Sequence, residues 1–156
     1  EHTLKEAGFI YIYMAPELAA KRINKISYNE EGYSDFEKVV NEESFKNGIQ
    51  RLKNGVLKGY KIALLGAMQD PIRCHRSILV GRELIKYGFN VKHILDDYKL
   101  ASQKDLEQNL LDKYFMDRNQ ITIDNLLGNS KSEEELIKDA YRLANKEIGY
   151  RIENLK

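Results

Sequence analysis

The sequence has one cysteine, two prolines, no tryptophan and almost no excess of either charge. A single cysteine excludes an internal disulfide and is typical of a reducing compartment, so we expect a cytoplasmic protein. The formal net charge of +1 gives no general support for nucleic-acid binding. No run of residues approaches the roughly 20 apolar residues of a membrane span, and we expect no membrane partner.

The 156 residues are 42% hydrophobic, which suits one domain with a real core. Three short apolar runs predict buried strands. These runs are Phe9–Met14, Lys61–Ala67 and Val91–Leu95. Each is preceded or followed by helical signals, so the pattern alternates between strand and helix.

Helices are predicted from capping residues and apolar spacing. Ser34 and Ser132 each precede a glutamate by three residues, which is a capping-box pattern. Asp70-Pro71 predicts an N-cap with proline at the first helical position, and this helix should run to about Tyr87. The apolar stripes that mark the other helices are Phe45, Ile49, Leu52 and Val56, then Leu106, Leu110 and Tyr114, then Leu136, Ala140 and Leu143.

This order predicts an α/β fold, a three-layer-like sandwich with a mostly parallel central sheet flanked by helices. Residues 1–116 are expected to form the α/β core, and residues 117–156 a C-terminal loop and helix packed on the same domain. Three strands are few for such a sheet. We therefore expect its open edge to be covered by a partner chain, such as a second copy in a homodimer, or by residues preceding Glu1.

One group of residues points to a site, in the turn from the second predicted strand to its helix. Asp70, Arg73, Cys74, His75 and Arg76 lie there. In parallel α/β sheets, ligands bind beyond the carboxyl ends of the strands. Arg76, with Asp70 and Arg73 beside it, is a candidate for binding a phosphate or carboxylate. Cys74 is a candidate nucleophile, and His75 a candidate proton carrier.

Simpler interpretations apply to the same residues. A single cysteine on a helix that packs on a sheet is often a small core residue. Arg76 would be purely structural if Asp70 or Glu147 were its ion-pair partner. His93, within the third predicted strand, is expected to be a hydrogen-bonded core histidine. The histidines and the cysteine form no metal-binding spacing, and the sequence has no glycine-rich nucleotide motif. No cofactor is therefore expected.

The string Asp-Pro-x-x-Cys-His-Arg-Ser at 70–77 resembles the domain-of-unknown-function 488 family. The segments 33–36, 45–49, 59–64, 91–95, 117–120 and 140–151 also resemble that family. The resemblance implies an uncharacterised bacterial protein with an α/β sandwich and no established activity. It also implies an N-terminal strand–helix–strand unit that would precede Glu1.

This chain departs from the family pattern at several positions. The resemblance implies a second cysteine where this chain has Gly66, an acidic residue near Met68 and an arginine at Ala144. Glycines are also implied at Ala19 and Ala20. A two-thiol or thiolate–metal reaction would be closed to this chain because Gly66 carries no thiol.

Three functions remain open. The first is binding of a small anionic ligand, or of a nucleotide or nucleic acid, by Arg76 and the 70–74 turn. The second is a cysteine-dependent enzyme that uses Cys74 and His75. The third is a diverged structural or interaction protein without a working site, so whether the chain is an enzyme stays open.

Overall fold

A computed structural model describes residues 2–118 and 131–152 of the chain. Its α-helices are listed here in chain order: α1 (His2–Glu6), α2 (Ala15–Leu18), α3 (Phe36–Val39), α4 (Glu43–Leu57), α5 (Arg82–Lys86), α6 (Gln103–Tyr114) and α7 (Glu133–Ile148). Two short 3-10 helices cover Lys25–Ser27 and Pro71–Arg73, and a π-helix covers Arg76–Gly81. Helices therefore dominate the described residues.

The core is built around the π-helix, which continues directly into α5. All five residues from Ser77 to Gly81 are buried. The apolar stripe of α4 packs into the same core through Phe45, Ile49 and Leu52, as predicted, whereas Val56 at its end is exposed. Leu106 and Leu110 of α6 contribute likewise, and α6 packs against α7.

The sheet differs from the predicted one. Within the described ranges, the one sheet has two antiparallel strands, β1 (Lys92–Ile94) and β2 (Leu100–Ser102). A loop of five residues joins them, and so short a connection permits only antiparallel pairing. Tyr98 in this loop has a φ of +62°, and Leu95 pairs with Lys99 across its base. The chain is mixed α/β, but a three-layer sandwich with a mostly parallel sheet is wrong for the residues that are described.

The predicted strands Phe9–Met14 and Lys61–Ala67 are not strands in the structure. Neither segment finds a backbone ladder partner in the described part of the chain, and most of their apolar side chains are exposed. Met14 and Leu64 alone in these runs pack partly against the core. Both segments are apolar, which is why strands were predicted there. A strand also requires a neighbouring strand that accepts and donates its backbone hydrogen bonds.

The predicted helix from Asp70 to Tyr87 is divided in two. Asp70 caps only the 3-10 helix, and Cys74 then adopts an extended conformation with φ −128° and ψ 132°. The predicted cap at Ser132 is present as a complete capping box, and the structure adds a second complete box at Ser102. Ser34 does not cap, because Asp35 takes that position at the start of α3.

The end of α7 is tied to the start of α3 by a buried amide. Asn145 Nδ2 donates to the Ser34 carbonyl oxygen at 2.8 Å, and Asn145 Oδ1 accepts from the Phe36 N–H at 2.8 Å. Ser34 and Phe36 are themselves buried. One side chain therefore satisfies two buried backbone groups that are more than a hundred residues away in sequence. None of the helices in the described ranges is long and apolar enough to cross a membrane.

We predict that Asn145→Ala destabilises the protein strongly. The substitution leaves a buried carbonyl and a buried N–H without partners, which costs about 1–3 kcal/mol each. The free energy of unfolding from urea titration measures the loss. Asn41→Ala is the matched control, because Asn41 makes one exposed bond to the Glu37 carbonyl at 2.9 Å. Equal effects of the two substitutions would contradict the role of Asn145.

Candidate functional site

The predicted site residues lie in one segment, residues 70–76, that runs through a turn into the start of the π-helix and is held from both sides. Asp70 Oδ1 accepts the Ile72 N–H at 3.1 Å and closes the 3-10 helix that carries Arg73. This helix contacts both α6 and α7, and Pro71 is buried there. Ser77 Oγ donates to the Pro71 carbonyl oxygen, so the π-helix is tied back onto the turn before it. The turn is therefore fixed by packing as well as by its own cap.

Cys74 is a buried residue. Its exposed fraction is 1%, and its sulfur has no hydrogen-bond partner among the described residues. The backbone at Gly66 lies directly against it, since a Cβ at position 66 would be 2.7 Å from Cys74 Sγ and 3.4 Å from Arg76 Cδ. Gly66 is therefore required by this close approach. A nucleophilic thiol needs exposure and a positioned base, and Cys74 has neither in this structure.

His75 and Arg76 open the π-helix beside the turn, and both are partly buried. Burial, reinforced by the nearby Arg76 charge, lowers the pKa of His75. The imidazole is therefore neutral near pH 7. The backbone N–H groups of His75 and Arg76 find no backbone acceptor within the described ranges, as is usual at a helix start.

Arg76 has no carboxylate partner in the described part of the chain. Its Nη2 donates to the Gln69 carbonyl oxygen at 3.2 Å, and this is the one side-chain hydrogen bond it makes with described residues. The structural alternative, an ion pair with Asp70 or Glu147, is wrong. Asp70 uses its carboxylate as a cap, and Glu147 pairs with Lys113 at 2.5 Å.

Arg73 does not share the surroundings of Arg76. It is exposed at the end of the 3-10 helix. Its charge acts on Glu147, whose pKa is lowered first by the hydrogen bond from Lys113 and, more weakly, by Arg73. The structure therefore brings Cys74, His75 and Arg76 together and directs the charge of Arg73 toward α7.

A buried polar chain runs behind the π-helix. His93 Nε2 and Gln103 Oε1 are 2.7 Å apart, and Gln103 Nε2 donates to Tyr141 Oη at 2.8 Å. Tyr141 Oη in turn donates to Glu107 Oε1 at 2.9 Å. His93 is thus the hydrogen-bonded core histidine that was predicted. Burial, aided by the Arg76 charge, lowers its pKa, although the bond to Gln103 opposes this shift.

Sequence reasoning missed Gln69 and Gln103 as parts of this region. Gln69 acts through its backbone carbonyl, which its side-chain type does not indicate. Gln103 carried one usable signal, a polar residue at the start of an amphipathic helix, but the same signal fits an exposed residue. Among residues 2–118 and 131–152, no three His, Cys, Asp or Glu side chains are grouped as metal ligands would be.

Comparison with known proteins identifies the family of the chain but indicates no activity. The chain is a mixed α/β protein in which Arg76, beside a capped turn, has no carboxylate partner among the described residues. It belongs to the family described as "Domain of unknown function DUF488", whose model matches residues 1–82. The match includes the whole 70–77 string, whereas the resemblances noted after residue 82 lie outside it. No curated protein and no solved structure matches the chain.

We predict that Gly66→Ala destabilises the protein and that Cys74→Ala relieves part of the effect. The new methyl group would overlap the buried sulfur, and overpacking of this kind costs about 1–3 kcal/mol. In a double-mutant cycle of unfolding free energies, Gly66→Ala should cost less when the sulfur is absent. Gly55→Ala is the control, since its Cβ meets only the end of the Ile62 side chain. Additive single effects would contradict the contact.

We also predict that stability falls as the pH drops below about 6.5. The ordinary pKa of histidine is 6.5, and burial lowers the pKa of His75 and His93 in the folded state. The unfolded chain therefore binds protons first, and stability is lost as the pH falls from 6.5 toward the folded values. Urea titrations between pH 7.5 and about pH 5 measure this slope.

The substitution His93→Gln isolates the contribution of His93 to the pH dependence of stability. Glutamine can donate to Gln103 but does not titrate, so the slope should become shallower. An unchanged slope in this variant would show that His93 is not one of the groups responsible.

Proposed function

We propose that the chain binds a small phosphate- or carboxylate-bearing ligand at Arg76. The observation that carries the proposal is the guanidinium of Arg76, partly buried and bonded to the carbonyl oxygen of Gln69 instead of to a carboxylate. Its Nε and Nη1 groups donate to no described residue. A guanidinium presents paired donors that match a carboxylate or phosphate, and its charge does not titrate in proteins.

The surroundings of Arg76 support an anion over a cation. The backbone N–H groups of His75 and Arg76 lie beside it without backbone acceptors among the described residues. The Asp70 carboxylate is occupied by its cap, so it competes less for the arginine. His75 is neutral near pH 7, and a bound anion would favour its protonated form. Together these groups supply donors and positive potential at one end of the π-helix.

Two other functions are less well supported. A cysteine-dependent reaction would use Cys74 as nucleophile and His75 as proton carrier, but the sulfur is 1% exposed and packed against Gly66. Nucleic acid would need a wider basic surface than a net charge of +1 suggests. A small anion needs one arginine and a few N–H groups.

A cytoplasmic location belongs to the same proposal, and the single cysteine supports it.

We predict that Arg76→Gln weakens the binding of inorganic phosphate by about ten- to a hundredfold, since charged hydrogen bonds contribute about 1.5–3 kcal/mol. Isothermal titration at fixed ionic strength measures the dissociation constant. Mononucleotides and short single-stranded DNA form two further arms, and much tighter binding of the DNA would favour a nucleic-acid ligand.

Two variants control this experiment. Arg51→Gln removes an exposed arginine that pairs with Glu17 elsewhere on the surface, so phosphate binding should not change. Cys74→Ser keeps the arginine and should retain binding. The proposal is wrong if the parent protein binds no phosphate or carboxylate, or if Arg51→Gln weakens binding as much as Arg76→Gln.

A further inference from the structure

A cleft of about 260 Å³ lies between α3, α7 and the helical segment that runs from the π-helix into α5. The apolar part of its lining consists of Phe36, Val40, Ile78 and Leu79. The charged part consists of Glu37, Arg82, Glu83, Lys86 and Lys138. Small-molecule sites are typically concave and combine apolar side chains with a few polar groups. The cleft has this composition, and it shares no residue with the turn around Arg76.

The two acidic side chains that line the cleft are each paired with a cation. Glu83 Oε2 accepts from Lys86 Nζ at 2.7 Å, within the cleft lining itself. Glu37 Oε1 accepts from Arg142 Nε at 3.3 Å, and Arg142 lies outside that lining. Both carboxylates are therefore neutralised locally, and they repel an anion in the cleft less than unpaired carboxylates would.

Arg82 and Lys138 are cations of the cleft without a carboxylate partner. Their side chains form no hydrogen bond or ion pair with any described residue. Arg82 is nevertheless held in place, because its guanidinium carbon lies 4.3 Å from the centre of the Tyr141 ring. Tyr141 is itself fixed by hydrogen bonds to Gln103 and Glu107, at 2.8 and 2.9 Å. A guanidinium that is held by a ring face rather than by hydrogen bonds keeps its N–H donors available for a ligand.

We propose that this cleft binds a small carboxylate with an apolar body, its carboxylate at Arg82 and Lys138 and its body against the apolar lining. A guanidinium and a carboxylate pair through two parallel hydrogen bonds, and a lysine adds a further charged donor. The apolar body is stabilised because both it and the lining leave water. Arg82 is positioned before the ligand arrives, so little of its freedom is lost on binding.

The composition of the cleft favours this ligand over simpler ones. An organic cation would be repelled by Arg82 and Lys138, since both carboxylates of the lining are already paired. An inorganic anion would leave the apolar lining in contact with water. The volume of the cleft lies just below that of sites for drug-sized molecules, which suits a small ligand. This site is independent of the proposed anion site at Arg76, because the two have no residue in common.

Titration of the full chain with hexanoate, followed by methyl NMR, tests the proposal. The methyl signals of Val40, Ile78 and Leu79 should shift saturably. Three related probes separate the contributions: acetate lacks the apolar body, 1-hexanol lacks the charge, and hexylammonium has the opposite charge. Each should bind in the cleft about tenfold more weakly, or less. The imidazole signals of His75 report on Arg76, so they distinguish a carboxylate bound there from one in the cleft.

Substitutions in the cleft should change the affinity for hexanoate in opposite directions. Arg82→Gln should weaken binding by about tenfold or more, since the paired charged donors are lost. Lys138→Gln removes an exposed cation and should weaken binding by about two- to fivefold. Glu83→Gln removes an acid and releases Lys86, so it should tighten binding by about two- to fivefold. A variant that merely disturbs the fold would not gain affinity.

Lys146→Gln is the matched control for Lys138→Gln. Lys146 is an exposed lysine on the same helix, but it pairs with Glu31 at 2.8 Å and does not line the cleft. It should leave hexanoate binding unchanged. The proposal is overturned if hexanoate causes no saturable shift in the cleft methyl groups, or if 1-hexanol binds there as tightly. It is also overturned if Lys146→Gln weakens binding as much as Lys138→Gln, or if Glu83→Gln weakens it.

Discussion

The complete burial of Ser77–Gly81 is the constraint on which the rest of the structure depends. Because this helical segment is surrounded, its polar groups must bond within the protein. Ser77 donates to the turn before it, and its own carbonyl accepts from Gln103 on α6. The missing side chain of Gly81 leaves room for the Gln103 amide, which would be 2.9 Å from a Cβ there. The segment therefore fixes both the turn and α6.

The surroundings of the Arg76 side chain result from this arrangement. It is the last residue before the buried segment, and the backbone around Gly66 covers one side of it. The carboxylates that could neutralise it are engaged by a cap at Asp70 and by Lys113 at Glu147. Burial, aided by the positive charge of Arg76, lowers the pKa of both His75 and His93. A partly buried arginine that pairs with no carboxylate among the described residues supports the proposed anion site.

Sequence reasoning predicted correctly those elements that depend on residues close together in the sequence. The capping box at Ser132 and the apolar stripe of α4 depend on residues a few positions apart, so the sequence pattern is enough to predict them. The break at Cys74 depends on contacts with distant residues. Apolar composition likewise indicated strands at Phe9–Met14 and Lys61–Ala67, but pairing depends on a neighbour. For the candidate site, the sequence pattern pointed to Arg76 and its neighbours, but only the folded structure shows that no described carboxylate pairs with Arg76.

The pKa of His75, followed by NMR with and without phosphate, tests the central claim most directly. Burial lowers this pKa most and the Arg76 charge adds to the effect, so an anion bound at Arg76 should raise the pKa of His75. At matched ionic strength, the account predicts a rise in the parent protein and none in Arg76→Gln. An unchanged pKa of His75 in the parent protein, or an equal rise in the variant, would contradict it.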